Sequence, residues 1–225
     1  MATSFAGGTD RVVFTGPHDA DDLGAVAFWM KTTQTTTIVG VAAAWTSGSR
    51  NGWGILLNNV ANKITVQGYG TSNVLNIAST TSVNDGNWHH IVFNKNAANG
   101  GANEIYVDGV QEVTANASGQ FSQLGVGNSC YIGDNIDTFW NSYNGLIAEF
   151  AQWYYRKLTA DEIVSLAKGF PPHLVARDAL KHYAPFVRSD QHRWGSVSGL
   201  SAPFIWNSTT GTTFADHPRV FGGTI

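Results

Sequence analysis

The chain has 225 residues, of which 13% are charged and 12% aromatic, eight of them Trp, with a net charge of −3. That profile is too aromatic for a disordered segment and has no basic field for nucleic acid, so no nucleic-acid partner is expected. The apolar runs are too short to span a bilayer, so no membrane partner is expected either, and a single cysteine, Cys130, excludes an internal disulfide.

The opening MATSFAGGTD has neither a positive n-region nor an apolar h-region. No signal peptide is therefore expected, and the chain is expected to fold in a reducing cytoplasm. Short β-rich runs follow, broken by turn clusters: RVVFT, AVAFWMKT, TIVGVAAAW, GWGILLN, KITVQGY, VLNIAS, WHHIVFN, EIYVDGV, SCYIGD and LIAEFAQWYY. About ten such runs with short connections predict an all-β protein, a sandwich or jelly roll of antiparallel sheets over residues 1–172. Within EIYVDGV, Asp108 and Gly109 suit a two-residue type I′ hairpin turn.

One helix is predicted over 159–168, in KLTADEIVSLAKGFPP. Thr159 as N-cap and Glu162 three residues on form a capping box, and Leu158 and Ile163 sit where a hydrophobic staple belongs. Gly169 suits the C-terminal cap, and Pro171 and Pro172 prevent continuation. The helix is expected as a lid on one end of the sandwich. Residues 173–225 lack periodicity yet keep Tyr183, Phe186, Trp194, Phe204, Trp206, Phe214 and Phe221. They predict an extended C-terminal arm that buries its rings on the sandwich, on neighbouring subunits, or on both.

Within DGNWHHIVF, adjacent strand side chains point to opposite faces, so His89 and His90 cannot share one metal without a bulge. His90 is expected on the core face with Trp88 and Val92, and His89 on the other.

DGNWHHIVF, EIYVDGVQEV, GLIAEFAQWYYRKLTADEIVSLAKG and the opening FAGGTDRVVF, in that combination, resemble the concanavalin A-like lectin and laminin-G superfamily, pentraxins included. The resemblance covers about residues 1–170 and implies a two-sheet jelly roll with a helix after the last strand. The closing pattern, with GFPPHLV and a late HPRV, is similar to versions found in phage and prophage proteins.

Several activities are housed on such a fold. Hydrolysis of a glycosidic bond needs two carboxylates about 5–5.5 or 6.5–9.5 Å apart. The laminarinase-type Glu-x-Asp-x-Glu run is missing; Glu104 and Asp108 stand roughly 13 Å apart on a regular strand, and Glu149 has no acidic neighbour at i±2. GSVSG puts Val197 at the elbow position a nucleophilic serine would need. No catalytic residue is therefore expected. The resemblance implies calcium as a possible cofactor through Asp10 and Glu149, with the loop carrying Asp19, Asp21 and Asp22 as a further source of ligands. Ala148, where many relatives have Asp, departs from that pattern.

Two aromatic and amide clusters are candidates for glycan binding or for an interface: Trp45, Arg50, Asn51 and Trp53, and Phe139, Trp140, Asn141 and Tyr143. Taken with the phage-like closing pattern, the residues lead us to expect a non-enzymatic structural protein of a virion, a head-decoration or accessory adhesion component. Its partners would be other virion proteins, copies of itself, or a cell-surface glycan. The alternative is a free-standing glycan-binding module, and a glycoside hydrolase is third.

Overall fold

A computed structural model describes residues 2–8, 10–15, 22–46, 51–70, 72–96, 101–121, 129–133, 139–186, 204–207 and 214–215. Strands β1 (Ala2–Ala6), β2 (Arg11–Thr15), β3 (Leu23–Lys31), β4 (Val39–Thr46), β5 (Asn51–Leu57), β6 (Ile64–Tyr69), β7 (Asn73–Ala78) and β8 (His89–Asn94) come first. The hairpin of β9 (Ala102–Val107) and β10 (Val110–Asn116) follows, then β11 (Ser129–Ile132), the two-residue β12 (Asn141–Ser142) and the long β13 (Asn144–Tyr154). Helix α1 (Ala160–Ala167) precedes β14 (Leu180–Ala184), β15 (Phe204–Asn207) and β16 (Phe214–Ala215).

The strands form two sheets. The first runs β10-β9-β8-β3-β13-β1-β16, with β14 lying beyond β1 along the same edge of β13. The second runs β15-β2-β11-β4-β5-β6-β7. Pairing is antiparallel throughout except where β12 adds two residues in parallel to β4. The result is a jelly-roll sandwich. In the hairpin, Asp108 and Gly109 take φ of 52° and 83°, the two positive values that a type I′ turn requires.

Period-two alternation builds the layers. Val26, Phe28 and Met30 of β3, Ile91 and Phe93 of β8, and Phe150 of β13 face the second sheet, where Phe14, Trp53, Ile55 and Val66 meet them. Phe150 stacks on Phe14 across the gap, ring centroids 5.6 Å apart, and on Phe28 at 6.0 Å. The intervening residues Ala25, Ala27, Val92, Tyr106, Ala151 and Trp153 face outward and are buried a second time, under Leu158, Ile163 and Leu166. The helix thus covers the outer face of the first sheet, rather than lying as a lid on one end of the sandwich. The small alanines of β3 and β13 let it approach.

The caps of α1 match their sequence signals. Thr159 Oγ1 accepts from the Glu162 N–H at 3.3 Å, and the Thr159 N–H donates to Glu162 Oε2 at 2.8 Å. Gly169 and Phe170 donate back to the carbonyls of Leu166 and Ser165, closing the helix in a Schellman turn.

The histidines require one correction. They do point to opposite faces, but the face toward the second sheet belongs to Ile91 and Phe93, hence to His89. His90 is buried with Val92 on the outer face, where its ring lies 5.1 Å from that of Trp29. Of the C-terminal residues, Leu180–Ala184 pairs with β13, Phe204–Asn207 with β2 and Phe214–Ala215 with β1. Phe186 is buried in the core between the sheets, whereas Trp194 and Phe221 lie outside the described residues. No helix among the described residues is long and apolar enough to cross a membrane.

Candidate functional site

The outer face of the second sheet is built differently. Along β4, β5 and β6 the outward positions are Ala43 and Trp45, then Gly52, Gly54 and Leu56, then Gln67 and Tyr69. Register places Gly52 between Trp45 and Tyr69, and Gly54 between Ala43 and Gln67. Both glycines are needed. Gly52 has φ +101°, and a Cβ on Gly54 would lie 2.8 Å from Cη2 of Trp140. Across the bare backbone of Gly52, Trp45 and Tyr69 meet edge-on with centroids 4.7 Å apart, and Trp45 meets Trp140 at 5.0 Å.

These rings enclose a cleft of about 260 Å³ lined by Ile38, Trp45, Asn59, Gln67, Tyr69, Phe139 and Trp140. Trp45 and Trp140 are each 4% exposed and form its depth, Tyr69 is half-buried, and Phe139, 70% exposed, stands at the mouth. The indole N–H of Trp45 is buried without a hydrogen-bond acceptor. Such a donor costs free energy unless something satisfies it.

The cleft therefore joins members of both sequence-predicted clusters, Trp45 from one with Phe139 and Trp140 from the other. It does not gather all of them. Trp53 faces inward into the core between the sheets, as does Tyr143, whose hydroxyl lies 3.1 and 3.2 Å from the carbonyl oxygens of Leu146 and Lys31. Burial pushes the Tyr143 phenol well above its usual range. Asn141 donates from Nδ2 to the Thr37 carbonyl at 2.6 Å and so clamps β12 beside β4. Asn51 pairs with Thr46 at the loop end of the β4–β5 hairpin, and Arg50 lies outside the described residues. Ile38, Asn59, Gln67 and Tyr69 are the lining residues that sequence reasoning missed. Their signal was the GWG triplet: with Trp53 turned inward, its flanking glycines must open a hollow on the opposite face.

The other candidate side chains are engaged elsewhere. Asp10 is buried, and its Oδ2 accepts from the Ala6 N–H at 2.9 Å, closing the turn between β1 and β2. Glu149 sits at a bulge in β13 with φ +52° and accepts from the Tyr183 hydroxyl. Burial first, then the Glu149 charge, push that phenol far up. Of the loop acids, Asp22 accepts from the Tyr155 hydroxyl at 3.1 Å, while Asp19 and Asp21 lie outside the described residues. No group of three His, Cys, Asp or Glu side chains able to hold a metal occurs among the described residues.

Glu104 and Asp108 are each tied to a basic side chain. Glu104 lies 2.5 Å from Lys157 Nζ. Asp108 Oδ2 lies 2.8 Å from His89 Nδ1, while Asp85 Oδ1 lies 3.1 Å from His89 Nε2. An imidazole held between two carboxylates is best served by carrying both protons. The bond to Asp108 accordingly raises the His89 pKa. Burial opposes ionisation of Asp108, but the bonds from His89 and the His90 N–H outweigh it and hold the carboxyl below its usual range. His90, fully buried, is pushed down to about 3 by desolvation, against a weaker pull from Asp108.

Comparison with known proteins places this geometry. A family model described as the concanavalin A-like lectin/glucanases superfamily matches residues 6–164. None of the curated proteins matches the sequence. Among solved structures, the native heptameric SAP-like pentraxin of Limulus polyphemus is 18% identical with a TM-score of 0.59, over 76% of this chain and 83% of its own. The CBM40 of the Ruminococcus gnavus IT-sialidase, solved bound to α2,3 sialyllactose, is 15% identical with a TM-score of 0.55, over 74% and 96%. Domain 4 of an extracellular arabinanase from Geobacillus stearothermophilus, solved with arabinotriose, is 21% identical with a TM-score of 0.51, over 66% and 69%. At these identities the likeness is one of fold.

Proposed function

Because the chain belongs to the concanavalin A-like lectin/glucanases superfamily, we propose that it is a non-catalytic carbohydrate-binding protein whose sugar site is the aromatic cleft on the outer face of the second sheet. The observation that carries this reading is the cleft itself: two deep indoles, a half-buried phenol and an exposed phenyl ring gathered over two glycines, with amide side chains beside them. Aromatic faces pack on the C–H faces of sugar rings, and amides both donate to and accept from hydroxyls. Solved neighbours of the same fold carry sugars, sialyllactose in one and arabinotriose in another, which supports the substrate class.

The non-catalytic part rests on charge. Residues 23–84, which supply β3 to β7, contain no Asp or Glu. A sugar lying over β4, β5 and β6 therefore finds no carboxylate on those strands to act as acid, base or nucleophile. Glu104, Asp108 and Glu149 are held by Lys157, His89 and Tyr183.

A glycan array probed with the labelled protein tests the reading. Binding of at least one glycan, abolished in Trp140→Ala and Phe139→Ala with circular dichroism unchanged, is the expected result. Equal binding by the variants would move the site elsewhere, and release of free sugar on incubation would make the protein an enzyme. We also propose, on the closing sequence pattern and the aromatic 173–225 segment, that the module is carried on a phage particle among other virion proteins or copies of itself. Finding the chain in purified particles by mass spectrometry would bear this out.

A further inference from the structure

Glycans divide into neutral and anionic classes, and the two discriminate sharply between sites. We propose that this cleft selects a single neutral sugar ring and rejects sugars bearing a carboxylate. The inference rests on the carbohydrate-binding reading above and adds the class of ligand to it.

The first ground is the lining. Every described residue lining the cleft is uncharged, and their polar side-chain groups are the amides of Asn59 and Gln67, the Tyr69 hydroxyl and the indole N–H groups. The nearest lysine in sequence, Lys63, turns away from the cleft to bond Ser82 Oγ at 3.2 Å and the Thr80 carbonyl. Where cations do lie over aromatic rings, the rings are Tyr131, Phe121 and Tyr154, none of them in the cleft. Among the described residues, then, no cation borders the site. A sugar carboxylate entering it would lose water and gain no counter-charge, which is costly in an aromatic enclosure. Hydroxyls lose far less, because amides replace water on both sides of each bond.

The second ground is size. A volume of about 260 Å³ lies just below the ~300–1,000 Å³ typical of small-molecule sites. One pyranose or furanose ring fits such a space, and an extended chain does not. The third ground is the Trp45 N–H, a buried neutral donor lacking an acceptor. A hydroxyl oxygen of a ring seated beside Trp45 would satisfy it. Binding should therefore perturb tryptophan emission.

The test titrates the full-length chain, by calorimetry and by tryptophan fluorescence, with methyl glycosides of the common neutral hexoses and pentoses. Methyl glucuronide and methyl N-acetylneuraminide serve as the anionic arm. We expect at least one neutral glycoside to bind with a change in emission, and both acids to bind at least tenfold more weakly. Gln67→Ala, a half-buried outward position, should weaken the neutral ligand several-fold while the fold persists. Extending that ligand to a trisaccharide should change Kd less than threefold. An acid binding as well as the best neutral sugar would overturn the charge selectivity and leave the carbohydrate reading standing. A trisaccharide gain of tenfold or more would overturn the single-ring assignment alone. Binding by none of these probes would overturn the single-neutral-ring assignment, while the glycan array decides the carbohydrate reading separately.

Discussion

The two outer faces of this sandwich begin alike and end differently. Both belong to antiparallel sheets whose inner sides are packed with large apolar side chains. On the first sheet the outward residues include the small Ala25, Ala27 and Ala151 around Trp153, and α1 settles onto that face. Its indole donor is met: the Trp153 Nε1–H donates to the Val175 carbonyl at 3.0 Å. On the second sheet the outward pattern pairs glycine with large aromatics, which leaves a hollow, and its indole donor at Trp45 is unmet. Small residues evenly spread make a seat for a helix. Glycines beneath rings make a pocket. The first face serves stability, and the second is the one we propose receives a ligand.

That contrast breaks first if the covered face proves expendable. Trp153→Ala removes a fully buried ring and orphans the Val175 carbonyl, and should cost about 3–5 kcal/mol in urea unfolding. A cost below 1 kcal/mol would mean the helix side contributes little.

Acid offers the next test, and the signs are specific. His90, held neutral by burial with a folded pKa of about 3, takes up its proton only on unfolding. Its contribution is intact above the unfolded value near 6.5 and is lost progressively as pH falls from there toward 3, about 2 kcal/mol of it by pH 5. His89, with a raised pKa, works the other way: its contribution is full below 6.5 and is lost as pH rises through its folded value. Urea midpoints between pH 5 and 8 should therefore show a steeper acid loss in His89→Asn and a shallower one in His90→Phe. Sugar affinity should stay flat across that range, since no His, Asp or Glu lines the cleft among the described residues.

Thr159→Ala removes one arm of the capping box and should cost about 1 kcal/mol, with affinity unchanged. Smallest in stability is Phe139→Ala, expected within about 0.5 kcal/mol of the parent because the ring is exposed, yet lowering affinity tenfold or more. A stability loss there comparable to Trp153→Ala would erase the distinction between the faces.

Local chemistry was readable from the sequence. Asp108–Gly109 and the Thr159–Glu162 box are each specified by residues within four positions of one another, and both form as read. Alternation gave the opposition of His89 and His90 but not which of them faces the second sheet. Parity is a local property, whereas the identity of a face depends on what lies across it, and β8 is buried on both sides. The same limit applied to the site. Trp53 and Tyr143 share composition with Trp45 and Trp140, yet strand parity and the β12–β4 crossing send the first pair into the core. The cleft needs residues from β4, β5, β6 and the 139–140 turn in one register, which no single stretch of sequence displays.

Thr3 lies opposite Phe214, and Val12 opposite Trp206. On the ribosome, strands made near the beginning of this sequence thus wait for partners made near its end. Until residues 204–215 emerge, β1 and β2 each present an open edge on that side. Pairings of such sequence separation form slowly, on the millisecond-to-second scale, because the loop must close before any contact rewards it. Unpaired edges meanwhile invite association with other nascent chains. Aggregation risk is therefore concentrated in the interval of synthesis, and a truncation that removes β15 and β16 would extend that interval indefinitely.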